Sequence, residues 1–299
     1  MKAREYHGII PPLLTAFTPE GEIDEKATRA IVRFVLPHVH GLYPIGTYGS
    51  GPLMTVPERE KALEIVLDEV AGRVPVVAHV GAPSAHVAVE LARHAKKAGA
   101  AGVGAISPYY APSLPEENLF DYFLRILEAV NETEFPFFVY NNSHYSQNTV
   151  TPRLLARLAE RGLRGLKDSS FDLVSFYLFQ EAVSAYPDFN VIIGTEAVFV
   201  GAFDAGAIGT VCGMGNIFPE VMARIYDAHT RGDRRRAIDL QRLILKIRAV
   251  TKLGPTIPIM HEILRLRGIE GGFSRSPYIP VAPQLAARIK SELEALKLL

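Results

Sequence analysis

The residue whose type and position most directly suggest chemistry is Lys167. It closes the apolar run Gly162-Leu163-Arg164-Gly165-Leu166-Lys167 and is followed at once by Asp168-Ser169-Ser170. The run reads as a buried strand and Asp-Ser-Ser as the cap of the next helix. A primary amine therefore stands at the C-terminal end of a strand. Other strand-like runs end in phenols and hydroxyls: Tyr140 after Phe137-Phe138-Val139, Tyr109-Tyr110 after Val103–Ile106, and Gly46-Thr47 after Leu42–Ile45. An amine in that company, with no metal-ligand motif in the sequence, points to Schiff-base formation on a carbonyl substrate. Burial would lower its pKa from about 10.4 toward about 7–8, where the neutral amine is nucleophilic. The alternative is a lysine that pairs with Asp168 or extends to solvent, and the motif alone does not decide. Tyr140 is a candidate proton relay to a carbinolamine oxygen, extended by Thr47 and Tyr110; taken alone Tyr140 reads better as core packing, and the three gain support only if the fold places them together.

These residues meet only if the strand ends converge. Short β-like runs, Ile9–Thr15, Leu42–Ile45, Val74–Val80, Gly102–Ile106, Phe137–Tyr140, Leu163–Lys167, Val191–Gly194 and Ile208–Cys212, alternate with amphipathic segments. The helix starts carry local signals. Thr55-Val56-Pro57-Glu58 and Ser113-Leu114-Pro115-Glu116 are capping boxes, Thr151-Pro152 is a cap followed by proline, and Gly99, Gly162 and Gly206 stop helices. Roughly eight strand–helix units over about 215 residues suit an α/β fold of the (β/α)₈ TIM-barrel type, whose strand ends share one mouth. A doubly wound sheet would carry a glycine-rich phosphate turn after the first strand, where Pro11-Pro12-Leu13-Leu14 stands instead. Beyond about residue 216 only helical patterns remain. The expected division is a barrel over 1–225 bearing the site and a C-terminal helical appendage over 226–299.

The glycine-rich loop Gly46-Thr47-Tyr48-Gly49-Ser50-Gly51 could hold an anion on its backbone N–H groups. A carboxylate is favoured over a triphosphate because Gly-Lys-Ser/Thr is absent; an ordinary tight turn is an equal alternative. His38-Val39-His40 is the closest histidine pair and reads as a helix end rather than a metal site. Equal numbers of basic and acidic residues, 32 each, offer no footprint for nucleic acid, and Arg234-Arg235-Arg236 after Asp233 reads as a solvated first helical turn. The single cysteine, Cys212, excludes an internal disulfide and reads as a small buried hydrophobe. No stretch approaches the roughly 18 apolar residues of a membrane span, and Met1–Gly8 shows no apolar leader. A cytoplasmic protein is expected.

The ordered set Pro12–Phe17 with Gly21-Glu22-Ile23-Asp24, Gly46–Gly49, Pro108-Tyr109-Tyr110, Tyr140-Asn141 and Gly165–Ser169 resembles the dihydrodipicolinate synthase / N-acetylneuraminate lyase family of pyruvate-type class I aldolases, over essentially the whole chain. The resemblance implies that Lys167 forms the imine with pyruvate or a related 2-oxo acid and that Tyr140 is the acid/base phenol. Thr47 would lie between Tyr140 and Tyr110, the latter lent by a neighbouring subunit. Gly46, Tyr48 and Gly49 would border the carboxylate site, with Val211 on the last strand as a further contact. It also implies a homotetramer or homodimer and no cofactor, the imine being the electron sink.

Two departures bear on the second substrate. Tyr48 and Ser50 replace a hydroxyl residue and a glutamate in the loop, and Tyr145 stands where dihydrodipicolinate synthases carry a carboxylate-binding arginine five residues after the tyrosine. Aspartate semialdehyde is therefore not expected as the partner aldehyde, and His144, Tyr145 and Tyr48 are the candidates for contacting whatever replaces it. The expected activity is that of a lyase or aldolase. A dehydratase or hydratase-aldolase acting on a sugar-type oxo acid through the same imine, and a non-catalytic 2-oxo-acid-binding protein, are the alternatives.

Overall fold

The computed structural model describes residues 6–130 and 135–299; Met1–Glu5, the start of the stretch read as lacking a leader, lie outside them. Strands β1 (Gly8–Ile10), β2 (Val77–His79), β3 (Gly102–Ile106), β4 (Phe137–Asn141), β5 (Gly165–Asp168), β6 (Asn190–Ile193) and β7 (Gly209–Val211) form one parallel sheet in the order β1-β7-β6-β5-β4-β3-β2. The helices between and after them are α1 (Glu25–Val35), α2 (Val56–Val70), α3 (Ala85–Lys97), α4 (Glu116–Val130), α5 (Ser143–Ser146), α6 (Pro152–Glu160), α7 (Leu173–Ala182), α8 (Phe199–Asp204), α9 (Pro219–Thr230), α10 (Arg234–Val250), α11 (Thr256–Leu266) and α12 (Pro283–Ala295). Among the described residues, no helix is long and apolar enough to cross a membrane.

The runs at 102–106 and 137–141 become strands much as the apolar pattern predicts. Two others are shorter. Pro11-Pro12 cannot donate to a ladder, so β1 ends at Ile10. The segment Leu42–Ile45 is not a continuous strand, because Pro44 lacks a donor and Ile45 turns into the left-handed region at φ 55°. It nevertheless touches both edges of the sheet. Tyr43 N–H donates to Pro11 O (3.0 Å) and Leu13 N–H to Tyr43 O (3.1 Å) on one side. On the other, Leu42 N–H donates to Pro75 O (3.0 Å) and Val77 N–H to Leu42 O (2.9 Å). The sheet is thus curled, with this segment spanning the gap between its ends.

Side chains alternate along each strand, so one set faces the helices and the other faces inward. Ile9, Ala78, Val139, Leu166 and Ile193 belong to the large core under the helices. Ile10, Val77, Phe138, Ile192 and Val211, with Tyr6 and Tyr43, form a separate small cluster. Glycines on the inward face make room for its aromatic members. A Cβ on Gly104 would stand 2.3 Å from the Tyr43 hydroxyl, and one on Gly165 would stand 2.2 Å from Phe138 Cδ1.

Helix ends follow the local chemistry with two exceptions. Thr55 and Glu58 form their capping box, Thr151 caps α6 and Asp233 caps α10, and Gly99, Gly162 and Gly206 adopt positive φ. The box expected at Ser113–Glu116 does not form: Ser113 has φ 57°, and the Glu116 carboxylate is taken by Thr151, Arg153 and Arg157. Nor does Asp168 cap the next helix; Asp172 does, accepting from Val174 and Ser175 N–H. The basic run 234–236 is the first turn of α10, and Cys212 is fully buried.

Gly165→Ala should destabilise the fold by about 1–3 kcal/mol through overpacking against Phe138. Urea unfolding reads this as a lower midpoint; an unmoved midpoint would mean that the interior has slack the geometry does not show.

Candidate active site

The pleat decides the direction of Lys167. Leu166 and Asp168 face one way and Gly165 and Lys167 the other, so Lys167 points inward above the small aromatic cluster. In the ladder Tyr140 is its register partner. The amine sits 3.4 Å from the centroid of the Tyr140 ring and 4.8 Å from that of Tyr43. Lys167 is 4% exposed. Asp168, the alternative partner for the amine, lies on the opposite face. Its carboxylate accepts from Asn141 Nδ2 (2.8 Å) and from Ser170 Oγ (2.7 Å).

Burial pushes the Lys167 amine below its ordinary value, and the nearby Tyr140 phenol opposes the shift without reversing it. For Tyr140 the balance runs the other way. Burial would raise the phenol, but the charge of Lys167 and hydrogen bonds from Asn142, Thr47 and Lys167 outweigh it and hold the phenol below its usual range. Asn142 Nδ2 donates to the phenol oxygen at 2.7 Å. This residue escaped the sequence reading, although its position two residues after Tyr140 on an extended segment was a usable signal. Behind the pair lie Tyr43 and His79, their ring centroids 6.4 and 6.1 Å from that of Tyr140. Burial, with the positive charges of Arg59 and Lys167, keeps His79 neutral.

Lys167 and Tyr140 open into a cavity of 380 Å³. Of the residues singled out from sequence, Thr47, Tyr48, His144, Tyr145 and Val211 also line it. Gly46 and Gly49 are not among the lining residues. They shape the loop instead: a Cβ on Gly49 would meet Ile45 N at 2.8 Å, and Gly51 N–H closes the turn on Gly46 O at 3.0 Å. Tyr110 is not brought to Lys167 within the chain. It is 96% exposed, with φ 72°. Its neighbour Tyr109 lines a smaller adjoining cavity of 220 Å³ together with Thr47, Ser50 and Tyr145.

The far wall was not legible. Arg248, in the last turn of α10, and Lys252, just beyond its C-cap Thr251, line the cavity with Glu196 and Phe171. Arg248 Nη1 is 3.0 Å from the buried Glu196 carboxylate, and its guanidinium lies 5.1 Å from the Phe171 ring centroid. Gln241, also on α10, donates to the backbone oxygens of Glu196 (3.0 Å) and Ala197 (3.2 Å). No local motif announces a helix that contributes to a site more than one strand away.

A buried amine of lowered basicity, a phenol beside it held below its usual range, and an adjoining cavity with polar side chains are the parts that imine chemistry requires. The sequence profile of the dihydrodipicolinate synthetase family matches residues 5–296. The chain belongs to that family. It is thereby a lyase of the aldolase type. An uncharacterised DapA-like lyase of Halobacterium salinarum is 36% identical over 295 residues, covering 98% of this chain and 95% of that one. A 4-hydroxy-tetrahydrodipicolinate synthase of Thermus thermophilus is 35% identical over 298 residues, covering 98% and 97%. Among solved structures, YagE of Escherichia coli K12, a prophage protein of the same family crystallised with pyruvate, superposes with a TM-score of 0.93 at 29% identity, covering 98% of this chain and 99% of that one.

Tyr140→Phe should lower turnover by about 10²-fold or more, the range of a lost acid/base group. Because the phenol raises the Lys167 amine, its removal should also move the acid limb of the pH–rate profile to lower pH. Steady-state rates across pH check both; a slower variant with an unshifted limb would separate the phenol from the amine.

Proposed function

We propose that this protein is a class I aldolase that joins pyruvate, held as an imine on Lys167, to a short hydroxylated aldehyde, and cleaves the product in reverse. The observation that carries the reading is the Lys167 amine, buried and lowered by burial, 3.4 Å above the Tyr140 ring. The neutral amine attacks the pyruvate carbonyl, and loss of water gives the imine. Tyr140 moves the protons of these steps, assisted by Asn142 and Thr47. Deprotonation at C3 gives the enamine, which forms the new carbon–carbon bond to the aldehyde carbon. The aldehyde oxygen takes a proton, and water releases a 4-hydroxy-2-oxo acid and the free amine. The protonated imine nitrogen serves as the electron sink.

The pyruvate complex of YagE supports the oxo-acid half. For the aldehyde half, Tyr145 stands at the position of the arginine clamp, and Arg248 is already matched by Glu196 at 3.0 Å. Neither arrangement suits the carboxylate of aspartate semialdehyde, whereas the Glu196, Ser169, Ser170 and Asn142 side chains suit hydroxyl groups. The fold reading that goes with this function is an eight-stranded barrel over 1–225, with Leu42–Pro44 as the remaining strand, and a helical region over 226–299. The main-chain hydrogen bonds on both sides of that segment support it. Assembly into a homodimer or homotetramer is supported by the exposure of Tyr110 and by the uncharged outer stripe Val174, Tyr177 and Leu178 of α7.

The test is product formation. Purified protein given pyruvate and glyceraldehyde should yield the 4-hydroxy-2-oxo acid by chromatography and mass spectrometry, and Lys167→Ala should yield none. Equal product from Lys167→Ala would remove the imine mechanism.

A further inference from the structure

Within this aldolase reading, on which the inference rests, we infer that Tyr48 is a specificity-determining residue: its phenol, seated on Gly213, shortens the aldehyde end of the cavity so that it takes a small hydroxyaldehyde and excludes a six-carbon aldose.

The seat is defined by what a side chain at 213 would meet. A Cβ built on Gly213 would stand 2.8 Å from both Cζ and the hydroxyl oxygen of Tyr48, and 3.0 Å from its Cε1. The three nearest atoms all belong to the one phenol. The backbone at Gly213 lies outside the left-handed region, so an L side chain would be acceptable there on conformational grounds. The glycine leaves the space that the Tyr48 phenol fills, and a side chain there would make the phenol move. Both residues line the cavity with Lys167. The phenol therefore crosses from the loop after residue 46 to the strand end after β7, and it occupies volume that a longer substrate would need.

The chemistry of this end matches its size. Burial, followed by the negative charge of Glu196, pushes the Tyr48 phenol far above its ordinary value, so it stays a neutral O–H donor. Beside it the buried Glu196 carboxylate is an acceptor, with one oxygen held by Arg248 at 3.0 Å. A donor next to an acceptor fits substrate hydroxyls, which offer both. It does not favour an apolar aldehyde, which would leave the phenol and carboxylate without partners.

The experiment compares wild type, Tyr48→Thr, Gly213→Ala and the double variant, each with pyruvate and either glyceraldehyde or mannose. Wild type should favour glyceraldehyde. Tyr48→Thr should move the ratio of kcat/KM values toward mannose by about tenfold or more, the lower end of what a change in pocket volume achieves. Gly213→Ala alone should lower kcat/KM, because the phenol is driven into the cavity; in the Tyr48→Thr background the same change should cost nothing further. Melting temperatures taken alongside identify a purely structural effect, which would lower Tm and leave the aldehyde ratio unmoved. An unmoved ratio in Tyr48→Thr, or an equal penalty for Gly213→Ala in both backgrounds, overturns the inference while the aldolase reading stands. Wild type that turns over neither aldehyde with pyruvate overturns both.

Discussion

The structure depends on one constraint: a charged-type side chain is forced into the interior of a curled parallel sheet by the two-residue period of its strand. Leu166 must face the helices to complete the large core, and Lys167 therefore cannot. Taking an ammonium out of water costs several kcal/mol, and among the described residues no carboxylate pairs with it, since Asp168 is turned to the other face and engaged by Asn141 and Ser170. The cost is met by the group giving up its proton more readily. The fold thus converts an unfavourable burial into nucleophilicity.

The surroundings of the amine are arranged around that conversion. Glycines at 104 and 165 admit the Tyr43 and Phe138 rings, which fill the interior below Lys167. Tyr140, the register partner, presents its face to the amine. The two groups shift each other in ways that favour exchange: the phenol is made more acidic by the neighbouring charge, and the amine less basic by burial. A phenol of lowered pKa in contact with an amine of lowered pKa is placed to move protons to and from the reacting atoms. Above them the cavity becomes polar, and its outer wall comes from α10, which is tied to Glu196 through both Arg248 and Gln241.

What was legible in the sequence follows from the range of the forces involved. Lys167 and Tyr140 were readable because strand ends and pleat alternation are local properties, whereas Val211 came only from the resemblance. Thr55, Thr151 and Asp233 were readable as caps because capping spans three or four residues. Ser113 and Asp168 carried the same signals and did not cap: Glu116, the other half of the first box, is taken by Thr151, Arg153 and Arg157, and Asp168 bonds Asn141 and Ser170 while the helix begins only after Asp172. The segment Leu42–Ile45 read as a strand by its apolar content, but Pro44 and the left-handed Ile45 break the ladder. Arg248 and Lys252 were invisible, since a helix past the last strand reaches the site only through packing. The seating of Tyr48 on Gly213 likewise joins residues with no relation in the sequence. Tyr110, placed near the amine by resemblance, points outward in the single chain.

The central claim is that Lys167 is the nucleophile. Incubation with pyruvate, reduction with borohydride and peptide mass spectrometry test it most directly. The account predicts one reduced pyruvate adduct per chain, located on Lys167 and absent from Lys167→Ala. An adduct on another lysine, or an adduct that persists in Lys167→Ala, would contradict it.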